Sequence, residues 1–413
     1  MGHKANVQIG NSMSGFESEL AKRLEELRSA GLYRQLRKVD SPQSPKIRLN
    51  GREVLNFSSN DYLGLADEPE LKHAAIEAIK AYGAGAGASR LICGSLRPFN
   101  ELDECIAQFK GTEAALSFST GYAAALGTIC ALVDKQDVVV IDKLVHASIV
   151  DAARLSGATL RVFKHNDLND LEDILKWTRA RTIAPLSQVL IVTESVFSMD
   201  GDHASVRELV ELKDRFGAWL MVDEAHSTGL YGPRRRGLAE EMGVGARIEI
   251  QMGTLGKALG AAGGYICGSR TLIDYLINRA RSFIFSTAPV PAAAAAAAAG
   301  IRFVQSNAGQ ERCQQLWERV SRVQAGLRSS LSSPSRTAII PIMIGDEQAA
   351  VSASAGLLEQ GILVPAIRYP TVARGRARLR VTVSAAHSQE DVDGLVQGWG
   401  KLGAGAAERL AQA

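Results

Sequence analysis

From Phe99 onward, segments with an apolar residue at every third or fourth position alternate with short, nearly continuous apolar runs. This alternation predicts helices at 99–110, 121–132, 146–156, 168–180 and 204–216, and strands at 114–118, 137–141, 159–163, 188–193 and 218–222. The alternating Ile248, Ile250 and Met252 predict one more strand. Apolar strands set between amphipathic helices imply a mostly parallel sheet covered by helices, because a strand buried on both faces has no polar side. In such sheets ligands gather beyond the carboxyl ends of the strands, so the residues just past each strand carry the chemistry.

The flanks read differently. Met1–Gly15 is polar and expected to be disordered, and Phe16–Leu36 has helical spacing at Leu20, Leu24, Leu27 and Leu32. After Ser41-Pro-Gln-Ser-Pro45, the segment 46–57, broken at Asn50-Gly51, predicts a small hairpin. An amphipathic helix follows at 70–82. Pro291 and the alanine run up to Gly300 predict a long, closely packed helix, and strands are expected at 338–344, 362–366 and 377–383 among further helices. The expected organisation is an arm and hairpin at 1–55, a large domain at 56–290, and a linking helix with a smaller C-terminal domain at 291–413.

Composition narrows the classes. A net charge of +3 over 413 residues, with no basic run longer than Arg234–Arg236, argues against nucleic-acid binding, and that run is expected to be a solvated turn. The five cysteines Cys93, Cys105, Cys130, Cys267 and Cys313 form no Cys-x-x-Cys pair, which argues against a disulfide framework or a metal site. The apolar stretch 288–299 is too short to span a bilayer, and the polar start has no apolar leader segment, so a cytoplasmic protein that binds no membrane is expected. The glycines at 83–87 mimic a dinucleotide-binding turn, but they follow a predicted helix where that turn must follow a strand.

The chemistry centres on Lys257, set among Gly253, Gly256, Gly260, Gly263 and Gly264 just past a strand. Glycines there suggest that something flat or bulky approaches the backbone. Such a lysine can form a Schiff base with an aldehyde or be a plain loop lysine, and Thr254 can offer a hydroxyl to a phosphate. Asp223 ends an apolar strand, where it can meet a pyridinium nitrogen or cap a helix, and His226 can then reach a ring hydroxyl or serve only at the surface. Ser198 can serve the same hydroxyl or merely its turn. Gly121 and Tyr122 open a helix whose free amides would cup a phosphate. His146, at another helix start, can stack on a flat ring or cap its helix, and spacing does not choose between these.

With these stretches assembled, the chain resembles the α-oxoamine synthases, pyridoxal-phosphate enzymes of the aspartate-aminotransferase fold (fold type I). The resemblance runs from about Arg34 to the end. It rests on Asn56-Phe-Ser-Ser-Asn-Asp-Tyr-Leu-Gly64, Ser198-Met-Asp-Gly-Asp202, Asp223-Glu-Ala-His226 and Thr254-Leu-Gly-Lys257, with support from 279–287 and 378–387. It implies an α/β fold with a large, mostly parallel, helix-covered sheet domain, a smaller C-terminal α/β domain, and pyridoxal 5'-phosphate as cofactor. By the same resemblance Lys257, His146, Asp223 and His226 form the catalytic set. Lys257 carries the cofactor, Asp223 pairs with its ring nitrogen, His146 stacks on the ring, and His226 and Ser198 serve the ring hydroxyl. The amides of Gly121 and Tyr122 and the Thr254 hydroxyl serve the phosphate, and Thr287 reaches it from the other subunit of a homodimer that shares its sites. Arg380 holds an amino-acid carboxylate, with Asn60 and His146 as further substrate contacts and Arg34 and Thr371 near the acyl substrate and product. The implied activity is acyl transfer, a decarboxylative condensation of an amino acid with an acyl thioester on coenzyme A or a carrier protein. The 279–291 stretch favours the branch that joins L-alanine to a pimeloyl thioester. A glycine-using acetyltransferase is the alternative, and a non-catalytic, cofactor-binding regulator a remoter one. Three positions depart from the common pattern: Ala125 stands where many members have Asn, Phe99 where many have His, and Asp103 where many have Glu.

Overall fold

The computed structural model describes residues 14–181, 188–331 and 335–411. The expected strands are present: β1 (Lys46–Leu49) and β2 (Arg52–Asn56) form the hairpin, and β3 (Ala114–Phe118), β4 (Val138–Asp142), β5 (Thr159–Phe163), β6 (Val189–Glu194), β7 (Trp219–Asp223) and β8 (Ile250–Thr254) build the main sheet. One strand was not foreseen, β9 (Gly264–Gly268), and it completes seven strands in the order β3-β9-β8-β7-β6-β4-β5. β9 runs antiparallel to both neighbours, whereas β5, β4, β6, β7 and β8 pair in parallel. It is short and bounded by glycine, so its three central residues carry too little pattern to announce a strand.

Successive side chains of each central strand face opposite cores. Val140, Ile191, Leu220 and Val222 point to one buried cluster, and Val139, Ile141, Leu190, Val192 and Met221 to the other. Both faces are thus apolar, and the helices that cover them leave polar side chains room only at the strand ends. Asp223 is the last residue of β7, and His146, Ser198 and Lys257 follow the carboxyl ends of other parallel strands.

The helix Pro291–Gln305 forms as expected, with Ala294, Ala297, Ala298 and Ala299 buried against the helices Pro69–Tyr82 and Arg97–Lys110. Methyl side chains let three helices approach closely under the large sheet. Beyond it lie β10 (Ile339–Gly345), β11 (Ile362–Leu363), β12 (Ala366–Ile367) and β13 (Ala377–Thr382). The expected strand at 362–366 is split at Val364-Pro365. β11 extends the hairpin in parallel with β2, and β12 pairs with β13 in a separate sheet, because proline has no amide hydrogen with which to continue a ladder.

Two other expectations change. The arm helix Gly15–Ser29 is shorter than the 16–36 pattern, since the amides of Leu32 and Tyr33 fold back onto the Leu27 carbonyl. Arg234–Arg236 is not a solvated turn: Arg235 is buried with its Nε 2.6 Å from the Val304 carbonyl, and the Arg236 carbonyl accepts the buried Lys110 ammonium at 2.6 Å. Residues 1–13, most of the segment expected to be disordered, lie outside the described residues. Among those described, no helix is long and apolar enough to cross a membrane, no cluster could hold a metal ion, and all five cysteines are free.

Candidate active site

β8 delivers Lys257 to a partly buried position where its Nζ lies 2.8 Å from His226 Nε2. Burial pulls the lysine down to about 8, against the charges of Asp223 and Glu194 and with that of Arg380. The glycines around it make room mainly for protein. A side chain at Gly264 would run into the Gly121 backbone at 2.6 Å, and one at Gly260, whose φ is +68°, would meet Leu65 at 2.5 Å. These contacts seat the lysine loop against the first turn of the helix Gly121–Leu132 and against the Asn56–Gly64 stretch.

β7 ends in Asp223, which is 5% exposed. Its Oδ1 accepts the Ala225 amide at 2.9 Å, so it braces its own turn rather than capping a helix. Burial raises this carboxyl and the Lys257 charge opposes the rise, an influence exerted through space. His226, buried in the same turn, is driven well below the usual imidazole range by burial and then by the Lys257 and Arg380 charges, and is therefore neutral.

Glu194, opposite Asp223 in the β6–β7 register, was not among the expected site residues. It is 2% exposed, and one carboxylate oxygen accepts the Ser198 amide at 3.2 Å. Burial and the neighbouring Asp223 push it up to about 8. The signal for it was present, since it closes an apolar strand just as Asp223 does.

His146 caps the helix Ala147–Leu155, with Nδ1 accepting the Ser148 amide at 3.2 Å, and the residue as a whole is exposed. Ser198 is buried and held through its backbone, its carbonyl accepting Arg380 Nε at 2.7 Å. At the start of the helix Gly121–Leu132, Thr120 accepts the Ala123 amide at 3.0 Å, while the Gly121 and Tyr122 amides have no carbonyl one turn back to bond. Thr254 stands beside Gly121, but its hydroxyl donates to the Gly263 carbonyl at 2.9 Å, and the Tyr122 phenol donates to Asp151 at 2.7 Å.

β13 brings Arg380 from far along the chain to the same end of the sheet. The residue is 4% exposed, and two of its guanidinium nitrogens lie 3.1 Å from Asn60 Oδ1. Arg34 and Thr371 are exposed, and Arg368 ties their two segments together by bonding the Gly31 carbonyl at 3.0 Å. Thr287 is exposed too, on a segment bridged to Ser89. The departures lie off the lysine: Ala125 is fully buried, and Arg90 joins Asp103 at 2.8 Å and covers Phe99. A cavity of about 800 Å³ opens at the opposite end of the sheet, beside Trp219, Ile250 and Lys110.

Known proteins share this layout. Residues 52–398 match the family model for aminotransferase class I and II. The 8-amino-7-oxononanoate synthase of Geotalea daltonii is 48% identical over 92% of the chain and 96% of its own length, and that of Geobacter sulfurreducens 47% over 93% and 97%. Among solved structures, serine palmitoyltransferase of Sphingomonas wittichii has a TM-score of 0.87 at 32% identity, covering 96% of the chain and 99% of its own. The 8-amino-7-oxononanoate synthase of Francisella tularensis has a TM-score of 0.70 at 28% identity, covering 84% and 97%.

Proposed function

Since the chain belongs to the aminotransferase class I and II family, we propose that it is a pyridoxal-phosphate enzyme that condenses L-alanine with a pimeloyl thioester, yielding 8-amino-7-oxononanoate, CO2 and the free thiol. The observation that carries this reading is Lys257, drawn down to about 8 and bonded to a neutral His226 beside the buried Asp223, in a chain nearly half identical to synthases of that name.

The residues present fit the cofactor. A buried carboxylate that meets the Lys257 charge through space suits a protonated ring nitrogen, the helix-start amides of Gly121 and Tyr122 suit a phosphate, and the exposed His146 suits a stacking role. In this reading Lys257 binds pyridoxal phosphate through Nζ, and Ser198 and His226 serve its ring hydroxyl. Thr254 would offer its hydroxyl to the phosphate. Bound there, the cofactor supplies an electron sink for bonds broken at the Cα of the amino acid.

Arg380, oriented by Asn60, holds the alanine carboxylate and so selects which Cα bond is presented for cleavage. Lys257, as a free amine, would take the Cα proton, for which an amine with a pKa near 8 is suited at neutral pH. His146 donates toward the thioester carbonyl oxygen as charge develops there. Lys257 returns a proton to carbon after CO2 has left. Arg34 and Thr371 border the acyl path.

The working unit in this reading is a cytoplasmic homodimer in which the partner's Thr287 completes each phosphate site. In support, Leu91, Ile92, Phe285 and Val290 are exposed on two segments bridged at Ser89 and Thr287. The division into an arm at 1–55, a large domain at 56–290 and a small one at 291–413 is proposed on the same footing. A thiol-release assay that crosses alanine, glycine and serine with pimeloyl, acetyl, succinyl and palmitoyl thioesters tests the substrates. Alanine with pimeloyl is expected to give the highest kcat/KM; preference for glycine with acetyl would move the chain to the glycine-using reading.

A further inference from the structure

Tyr62 belongs to the Asn56–Gly64 stretch, is 1% exposed, and meets His226 from the side away from Lys257. Its hydroxyl oxygen lies 2.5 Å from His226 Nδ1, and His226 Nε2 lies 2.8 Å from Lys257 Nζ. We propose that Tyr62 is a positioning residue for the His226 proton: by donating its phenolic hydrogen to Nδ1, it fixes the imidazole in the form that carries its hydrogen on Nε2, aimed at Lys257.

The hydrogens can be assigned one at a time. The phenol keeps its hydrogen because burial pushes its pKa up to about 12. That hydrogen has two acceptors within reach, His226 Nδ1 and Asn60 Oδ1, but Asn60 lies at 3.3 Å and its oxygen already accepts two Arg380 N–H groups. The shorter contact to Nδ1 therefore takes it. A neutral imidazole carries one N–H, and with Nδ1 accepting, that hydrogen is on Nε2. Lys257 Nζ then meets an N–H rather than a lone pair. A neutral amine can accept it, whereas an ammonium would set N–H against N–H.

The Tyr62–His226 pair thus works in the same direction as burial, favouring the free-amine form of Lys257. That form attacks a carbonyl and accepts a proton from carbon. The bonded series Tyr62–His226–Lys257 reaches the proposed base, and it includes a tyrosine to which the reaction scheme assigned no part. The inference rests on reading Lys257 as the cofactor-binding amine.

The test is the tautomer itself, read by long-range proton–nitrogen NMR on holoenzyme labelled with ring-15N histidine, the His226 signals being assigned by their loss in His226→Asn. The wild type is expected to show a hydrogen on Nε2 and a bare Nδ1. Tyr62→Phe, which removes one oxygen and keeps the ring, should lose that pattern, with hydrogen appearing on Nδ1. Hydrogen on Nδ1 in the wild type overturns the proposal without need of any variant, and so does an unchanged pattern in a folded Tyr62→Phe. Cofactor absorbance and alanine turnover in the same sample separate the two readings: if both are present while Nδ1 is protonated, the tautomer proposal alone falls, and if the wild type never binds the cofactor, both fall.

Discussion

A lysine in water holds its proton to well above pH 10, and Lys257 does not. With the group drawn down to about 8, its neutral, nucleophilic fraction should rise about tenfold per pH unit up to that point and then level. The rate at which apoprotein takes up pyridoxal phosphate, followed by the growth of visible absorbance, is expected to trace this curve. A plateau only above pH 10 would mean that the lysine is an ordinary one. Arg380 allows a second prediction at this scale. Arg380→Lys loses the forked contacts to Asn60 and the Ser198 carbonyl, and the charge-assisted pair it is proposed to make is worth about 1.5–3 kcal/mol. KM for alanine should rise about 10- to 100-fold, with cofactor absorbance and KM for the thioester little changed. An unchanged alanine KM would place the carboxylate elsewhere.

Between elements, single side chains do the joining. His165, just past β5, bonds Asp142 at the end of β4 through Nδ1 at 2.9 Å and Asp202 of the Ser198–Asp202 turn through Nε2 at 2.7 Å. Burial opposes its charge, but the bonds to the two carboxylates win and lift the imidazole to about 10. Because the folded value exceeds the unfolded one near 6.5, the stabilisation is fully present below pH 6.5 and is lost as pH rises through 10. Urea unfolding of wild type and His165→Gln should therefore differ most near pH 6 and converge near pH 10. A difference independent of pH would show that packing, not charge, is what His165 contributes. The glycines of the lysine loop belong to this scale too. Read along the chain they suggested room for a ligand; folded, Gly264 and Gly260 are occupied by the Gly121 and Leu65 backbones, so much of that room is used to press the loop into place.

At the scale of the molecule, the apolar side chains of Ile92 and Phe285 are 79% and 70% exposed, with only the Arg281 guanidinium 4.7 Å over the Phe285 ring among the described residues. If these segments meet a second copy, wild-type protein should sediment at about twice the 44.1 kDa chain mass, and Ile92→Asp with Phe285→Asp should shift it toward the monomer and lower both cofactor retention and turnover. A wild type that is monomeric and fully active at micromolar concentration would refute the shared site.

The order of helices and strands, and the choice of strand ends as the seat of chemistry, could be read from the sequence alone, because hydrophobic period is a local property and a doubly covered sheet leaves polar residues few other places. Lys257, Asp223, His226 and His146 were singled out as candidates that way, with family motifs supplying their proposed roles. Other features required the folded chain. The antiparallel β9 owes its place to two strands far apart in sequence, and the 362–366 segment divides between sheets according to which neighbours it meets. Arg235 is buried because a distant carbonyl receives it. Glu194 and Tyr62 look like ordinary motif residues until packing sets one beside Asp223 and the other against His226. Period reports which side of an element is apolar; a buried polar group is decided by the partner that tertiary structure brings within 3 Å of it.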